Sequence, residues 1–191
     1  MGTLIAAGND LTPARLNQYY GKADTSATTV TAATQTRLTS SYSVPANEPT
    51  AGESAYEILF GGDITWGSTI QSLQFTLTLQ AVNVCANVTI ASGAFSVSAH
   101  LRFTGRASLV FDSTGVSGLA QGGYLVSISE IANPVTPGAA GTNTLGVSDY
   151  STAGATIDTT SDMPMIMKCA WNATTGGPTI SNRSTVFRKV A

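Results

Sequence analysis

The sequence predicts an all-β fold, an antiparallel jelly-roll-like β-sandwich with a short N-terminal helix and an extended arm, and three observations carry that reading. Thr (28) and Ser (20) together with 19 Gly dominate the 191 residues, while only 10% are charged, a mixture poor in long charged helices. From about residue 36 onward apolar side chains recur with a period of two, as on half-buried strands. Gly-, Pro- and Asn-rich breaks separate these runs at short, regular spacing.

The first organised element runs from Leu11 to Gly21. Thr12 can cap a helix, Pro13 suits its first position and Gly21 its end, while Leu11 and Leu16 have the spacing of a hydrophobic staple. Two turns of helix are marginal alone, so Leu11, Thr12, Pro13, Leu16, Tyr19 and Tyr20 become the candidate docking residues of an arm. Residues 23–35 read as an extended connector or weak edge strand. The arm is therefore placed at 1–35 and the sandwich domain at 36–191.

Leu38–Val44 reads as the first strand of that domain, closed by Pro45 and Pro49. Tyr56, Ile58 and Phe60 alternate with Glu57 and Leu59, and Gly61-Gly62 is expected to bend the chain before Ile64 and Trp66. Phe75–Val82 is the cleanest pattern, with Thr76, Thr78 and Gln80 expected in water. Ala94–Thr104 repeats it, with Phe95, Val97, Ala99, Leu101 and Phe103 on one face. Further strands are read at Val88–Ala91, Ala107–Phe111, Tyr124–Ile131, Met165–Trp171 and Thr185–Val190, giving eight or nine in all. Gly115–Gly123 reads as a turn, and Asn133–Asp162 as an elaborated loop with one or two short strands.

Charge and composition narrow the chemistry. The net charge is −2, and residues 107–167 contain no Lys or Arg, which argues against nucleic acid as the main ligand. No apolar run reaches the length of a membrane span. Met1–Asp10 lacks the basic start and apolar core of a secretory signal, so folding in a cytoplasm is expected, with Cys85 and Cys169 free and packed. His100, the one histidine, lies on the polar face of its strand with no nucleophile motif, and one His with two distant Cys is too few for zinc. Glu53 with Glu57 and Asp158 with Asp162 are the nearest carboxylate pairs, and both read as structural, Glu57 as a solvated side chain. No catalytic residue, metal site or cofactor is expected. Trp66 and Trp171 with Tyr19 and Tyr20 suit core or interface packing better than a sugar platform. Arg183, Arg188 and Lys189 form a local cation cluster, read as a polar strand edge before a contact with an acidic neighbouring subunit.

Two stretches carry a family resemblance. Ala6-Ala7-Gly8-Asn9-Asp10-Leu11-Thr12-Pro13-Ala14-Arg15-Leu16-Asn17 resembles the lead-in of small virion proteins of tailed bacteriophages, particularly those of actinobacterial hosts. Ser41–Asn47, Ala51-Gly52-Glu53, Tyr56–Trp66 and Phe75–Gln80 are similar to the opening strands of their jelly-roll domains, with Glu48-Pro49-Thr50 intervening where the family has a simple apolar turn. The resemblance covers roughly residues 6–104. It implies a non-enzymatic protein of the virion surface, often trimeric. Capsid decoration docked through the N-terminal arm is the first expectation, and a minor tail, head-fibre or fibre protein with a receptor- or carbohydrate-binding sandwich is the alternative. The implied partners are major capsid or tail proteins, a homotrimer of the chain itself and a host surface glycan, with neither nucleic acid nor membrane insertion.

Overall fold

The computed structural model describes residues 22–190 apart from 70, 86, 92–93, 96–97 and 131–143. Among these residues the chain forms thirteen strands and no helix. They are β1 (Lys22–Asp24), β2 (Thr28–Val30), β3 (Thr36–Arg37), β4 (Tyr42–Val44), β5 (Ala55–Thr65), β6 (Leu73–Leu79), β7 (Val82–Asn83), β8 (Val88–Ile90), β9 (His100–Ser113), β10 (Gly118–Glu130), β11 (Thr144–Ile157), β12 (Met163–Trp171) and β13 (Thr179–Lys189). The helix expected after Thr12 lies outside the described residues.

Two antiparallel sheets make a sandwich. The seven-stranded sheet has the order β1-β13-β5-β9-β10-β11, with β2 also on β13. The six-stranded sheet has the order β3-β12-β6-β7, with β4 also on β12 and β8 on β6. Period-two alternation places Tyr56, Ile58, Phe103, Phe111, Val126 and Phe187 inward from the first sheet and Phe75, Leu77, Met165 and Met167 inward from the second. Trp66 and Trp171 are both buried and meet edge to face at 5.3 Å, so they belong to the core, as expected. Polar side chains also tie the sheets together: Tyr124 of β10 donates its hydroxyl to the Phe75 carbonyl (2.9 Å) and accepts from the Val88 amide (3.1 Å), both in the opposite sheet. Trp171 Nε1 donates to the Val30 carbonyl at 3.2 Å, joining β12 to β2.

Several sequence expectations are corrected. Leu38–Val44 is not one strand: β3 and β4 flank a break in which Leu38 and Thr39 amides both reach the Met167 carbonyl. Gly61-Gly62, expected to bend the chain, lies within β5 opposite the register shift of β13 between Asn182 and Ser184, where a Cβ on Gly62 would lie 1.9 Å from the Ser181 carbonyl. β6 stops at Leu79, and Gln80 and Ala81, both at positive φ, make the two-residue turn to β7. Gln80 tolerates this backbone because its amide is fixed on both sides, donating to the Asp158 carbonyl (2.6 Å) and accepting from the Asp158 amide (3.1 Å).

Thr76 and Thr78 are buried rather than in water, and their hydroxyls donate to Asn87 Oδ1 and the Ile166 carbonyl. Ala94, Phe95, Ser98 and Ala99, expected in a strand, lie outside one, and Phe95 packs on Trp66 at 5.5 Å; Val97 lies outside the described residues. β9 then continues unbroken through the separate strand expected at Ala107–Phe111, since Gly105 lies beneath the Phe60 ring instead of interrupting the ladder. The turn expected at Gly115–Gly123 is short, and Gly118–Gly123 already belongs to β10. The expected loop at Asn133–Asp162 contains a 14-residue strand, β11, paired along β10. Small residues concealed it, because a strand backed by only one neighbouring strand needs few large side chains. The short strands β1 and β2, in the stretch read as connector or weak edge strand, pair with β13.

Candidate functional site

The outer face of the seven-stranded sheet is built from in-register rows. One row crosses the sheet as Arg188, Glu57, Ser108, Gly123 and Tyr150, and the next as Val186, Leu59, Arg106, Leu125 and Ser148. At Gly123 the face is hollow. A Cβ there would lie 2.4 Å from the Asp149 carbonyl and 2.7 Å from Tyr150 Cδ2, so the tyrosine ring lies over the glycine backbone. The result is an open groove of about 380 Å³ lined by Arg106, Ser108, Gly123, Tyr124, Leu125, Ser148, Asp149 and Tyr150. Tyr150 and Leu125 remain 55% and 54% exposed, unusual for large apolar groups in the middle of strands. The Tyr150 hydroxyl donates to Gln121 Oε1 at 3.4 Å, setting the ring direction from β10.

Beside the groove, Glu57 is 1% exposed and held between two guanidinium groups, Arg106 from β9 and Arg188 from β13. This corrects the expectation of a solvated Glu57: it is buried and ion-paired to cross-strand arginines on both sides, with Arg188 Nε donating to its Oε2. A second carboxylate farther along β5, Asp63, accepts Arg183 Nε at 3.1 Å and faces Arg102 Nε at 4.0 Å. Arg183 and Arg188 would point to opposite faces of a regular strand. The register shift between Asn182 and Ser184 puts both outside. Asn182 stabilises this bulge from within, accepting from the Gly61 amide (3.2 Å) and donating to Thr185 Oγ1 (2.7 Å). The cation cluster read at the C-terminus is thus part of an interior strand, between β1 and β5, and not a strand edge.

The remaining sequence candidates have structural positions. Asp158 closes a tight turn by accepting from the Thr160 amide (2.9 Å), Thr160 Oγ1 (2.6 Å) and Ser161 Oγ (3.1 Å), and these bonds, the Thr160 hydroxyl first, hold its carboxyl below the usual range. Asp162 Oδ1 accepts from the Ala46 amide at 3.0 Å. His100 is exposed at the start of β9, its Nδ1 3.5 Å from Thr65 Oγ1. Cys85 and Cys169 are unpaired and buried, and burial pushes their thiols up to about 11 and about 12. No group of three or more His, Cys, Asp or Glu stands together as a metal site among the described residues. Leu11, Thr12, Pro13, Leu16, Tyr19 and Tyr20 lie outside the described residues.

Sequence reasoning missed Tyr150, Leu125 and Arg106. Tyr150 lies in the stretch that the sequence reads as loop, Leu125 within the strand read at Tyr124–Ile131, and Arg106 between the strands read at Ala94–Thr104 and Ala107–Phe111. The available signal was their shared phase: positions 102 and 106 fall on one face of a strand, as do 123 and 125.

No family model matches the chain, and no curated protein matches it. Among solved structures it is similar to the CBM2 module of the evolved Dit of Lactobacillus casei BL23 phage J-1, at 11% identity and a TM-score of 0.29. The alignment covers 77% of this chain and 66% of that one, just under two thirds of its length.

Proposed function

We infer that this chain is a non-enzymatic binding module of a tailed-phage virion exterior, of the minor tail or fibre type, which holds a glycan against Tyr150. One observation carries the reading: a half-exposed tyrosine ring set against a glycine on the sheet, with Leu125 and the polar Arg106, Ser108 and Ser148 around it. A sugar ring offers an apolar C–H face and a rim of hydroxyls, and this groove offers an apolar ring and a rim of donors and acceptors to match. Because the ring is supported by strands β10 and β11 rather than by loops, little ordering is left to be done on binding.

The lining residues include no imidazole and no pair of free carboxylates. Asp149 is the one carboxylate residue of the lining, and its side chain interacts with Cys85 on the inner side. This favours binding over hydrolysis. Capsid decoration through an arm at 1–35 has less behind it, since β1 and β2 hydrogen-bond to β13 and a clamp onto a neighbouring subunit would have to begin before residue 22.

The test is retention of the purified chain on an array of bacterial cell-wall polysaccharides, with Tyr150→Ala beside it. The reading expects at least one polysaccharide to be bound and the variant to bind it about tenfold more weakly or worse, at an unchanged melting temperature. Binding that ignores Tyr150→Ala would contradict it.

A further inference from the structure

We propose that the glycan recognised by this face is an anionic polysaccharide, gripped through its carboxylate, sulfate or phosphate groups by Arg106 and Arg188 and, farther along the same strands, by Arg102 and Arg183. The proposal rests on the reading that the Tyr150 groove binds a glycan, and adds its chemical class.

The argument starts from an imbalance of charge. Four of the chain's six arginines stand on the outer face of one sheet, in two rungs that share a plan. In each rung a β5 carboxylate sits between one arginine of β9 and one of β13: Glu57 between Arg106 and Arg188, Asp63 between Arg102 and Arg183. A structural ion pair needs one cation per carboxylate, and here there are two. Each rung therefore leaves one positive charge over, on a chain whose net charge is −2. Asp112, the remaining acid on this face of β9, is engaged by Gln121 Nε2 at the far end of the strand.

The arginines are also available. Their side chains are 75%, 63%, 61% and 47% exposed for Arg102, Arg106, Arg183 and Arg188. A guanidinium has five N–H donors, so one oriented by a carboxylate keeps others for a ligand. Glu57, fully covered, acts as a positioning residue: it holds Arg106 at the rim of the Tyr150 groove, so that a bound anion need not order a free side chain.

Spacing argues for a polymer. Glu57 and Asp63 are six residues apart on β5, a separation of roughly 20 Å along an extended strand, beyond the reach of one monosaccharide. An acidic chain running along β5 and β9 meets both rungs while one of its rings rests on Tyr150. Nucleic acid would also satisfy the charges, but the ring-sized groove with hydroxyl neighbours favours a sugar polymer, and the experiment separates the two.

The experiment measures binding of the full chain to polygalacturonate and to its fully methyl-esterified form, which keeps the sugars and removes the charge. Dextran sulfate against dextran is a second acidic and neutral pair, and poly(dT) is a polyanion without pyranose rings. The expected result is about tenfold or greater preference for an acidic member over its neutral partner, weakened as salt rises from about 50 to about 300 mM. Arg106→Gln and, separately, the double variant Arg102→Gln with Arg183→Gln each reduce that preference several-fold. The double variant frees only the half-exposed Asp63 and so leaves folding intact. Equal binding to acidic and neutral members, still lost in Tyr150→Ala, overturns the charge selection and leaves the glycan reading standing. Poly(dT) bound as tightly as the acidic glycans, with Tyr150→Ala silent, overturns both. Binding of no acidic polymer overturns the proposal outright.

Discussion

On the outer face of the six-stranded sheet, Thr76 and Thr78 are buried and give their hydroxyls to Asn87 and the Ile166 carbonyl. On the outer face of the seven-stranded sheet, Arg102, Arg106 and Arg183 stand more than half exposed, and Tyr150 and Leu125 beside them are exposed to a similar degree. Both faces come from the same period-two alternation of apolar and polar residues. They differ in what the polar residues do: on one sheet they are consumed by internal hydrogen bonds, while on the other they are oriented and left facing outward. A face whose donors are already used adds stability, and a face whose donors are held ready can take a ligand.

The comparison is broken most severely from the inside. Trp171→Ala removes a fully buried ring that packs on Trp66 and donates to the Val30 carbonyl, and is expected to cost about 3–5 kcal/mol in chemical denaturation. A loss below about 1 kcal/mol would mean that the two sheets are not joined there as described. Gly123→Ala probes the ligand face and is expected to cost about 1–3 kcal/mol, because its methyl group meets the Asp149 carbonyl and the Tyr150 ring. The same variant should weaken glycan binding by displacing Tyr150, and a variant as stable and as retentive as the parent would remove the ring-over-glycine geometry from the account.

Smaller effects follow from titration. Burial raises the Cys85 thiol from 9.0 to about 11 and the Cys169 thiol from 9.0 to about 12, and the Tyr56 and Tyr124 hydroxyls are raised too, chiefly by burial. In that window the native state keeps protons that the unfolded chain has released, so stability is fully present below about pH 9 and falls as pH rises toward 12. Denaturation midpoints measured across pH 8–12 should decline in that direction. At pH 8 both thiols should resist a thiol reagent until the chain is unfolded, and rapid native labelling would contradict their burial.

The two regions were unequally legible in the sequence. The core strand around Phe75 and Leu77 could be read because large apolar residues alternate with threonines. β11 could not, since Thr144–Ile157 is made largely of small residues and gains its order from pairing with β10. The ligand face was hidden for a related reason. Its residues come from β5, β9, β10, β11 and β13, brought side by side by register, and Arg183 joins them only through a bulge that period-two counting does not anticipate. Glu57 looked solvated because its partners, Arg106 and Arg188, lie 49 and 131 residues away in sequence. Ion pairs between distant strands leave no local pattern to find.

The most direct test of the central claim is to map backbone amide chemical shifts of the full chain during titration with the polysaccharide it retains. The account predicts shifts concentrated on β9, β10 and β11 around Arg106, Leu125 and Tyr150, with the β6 and β12 amides unmoved. Shifts confined to the six-stranded sheet or to the loops, with Tyr150 and Arg106 silent, would contradict it.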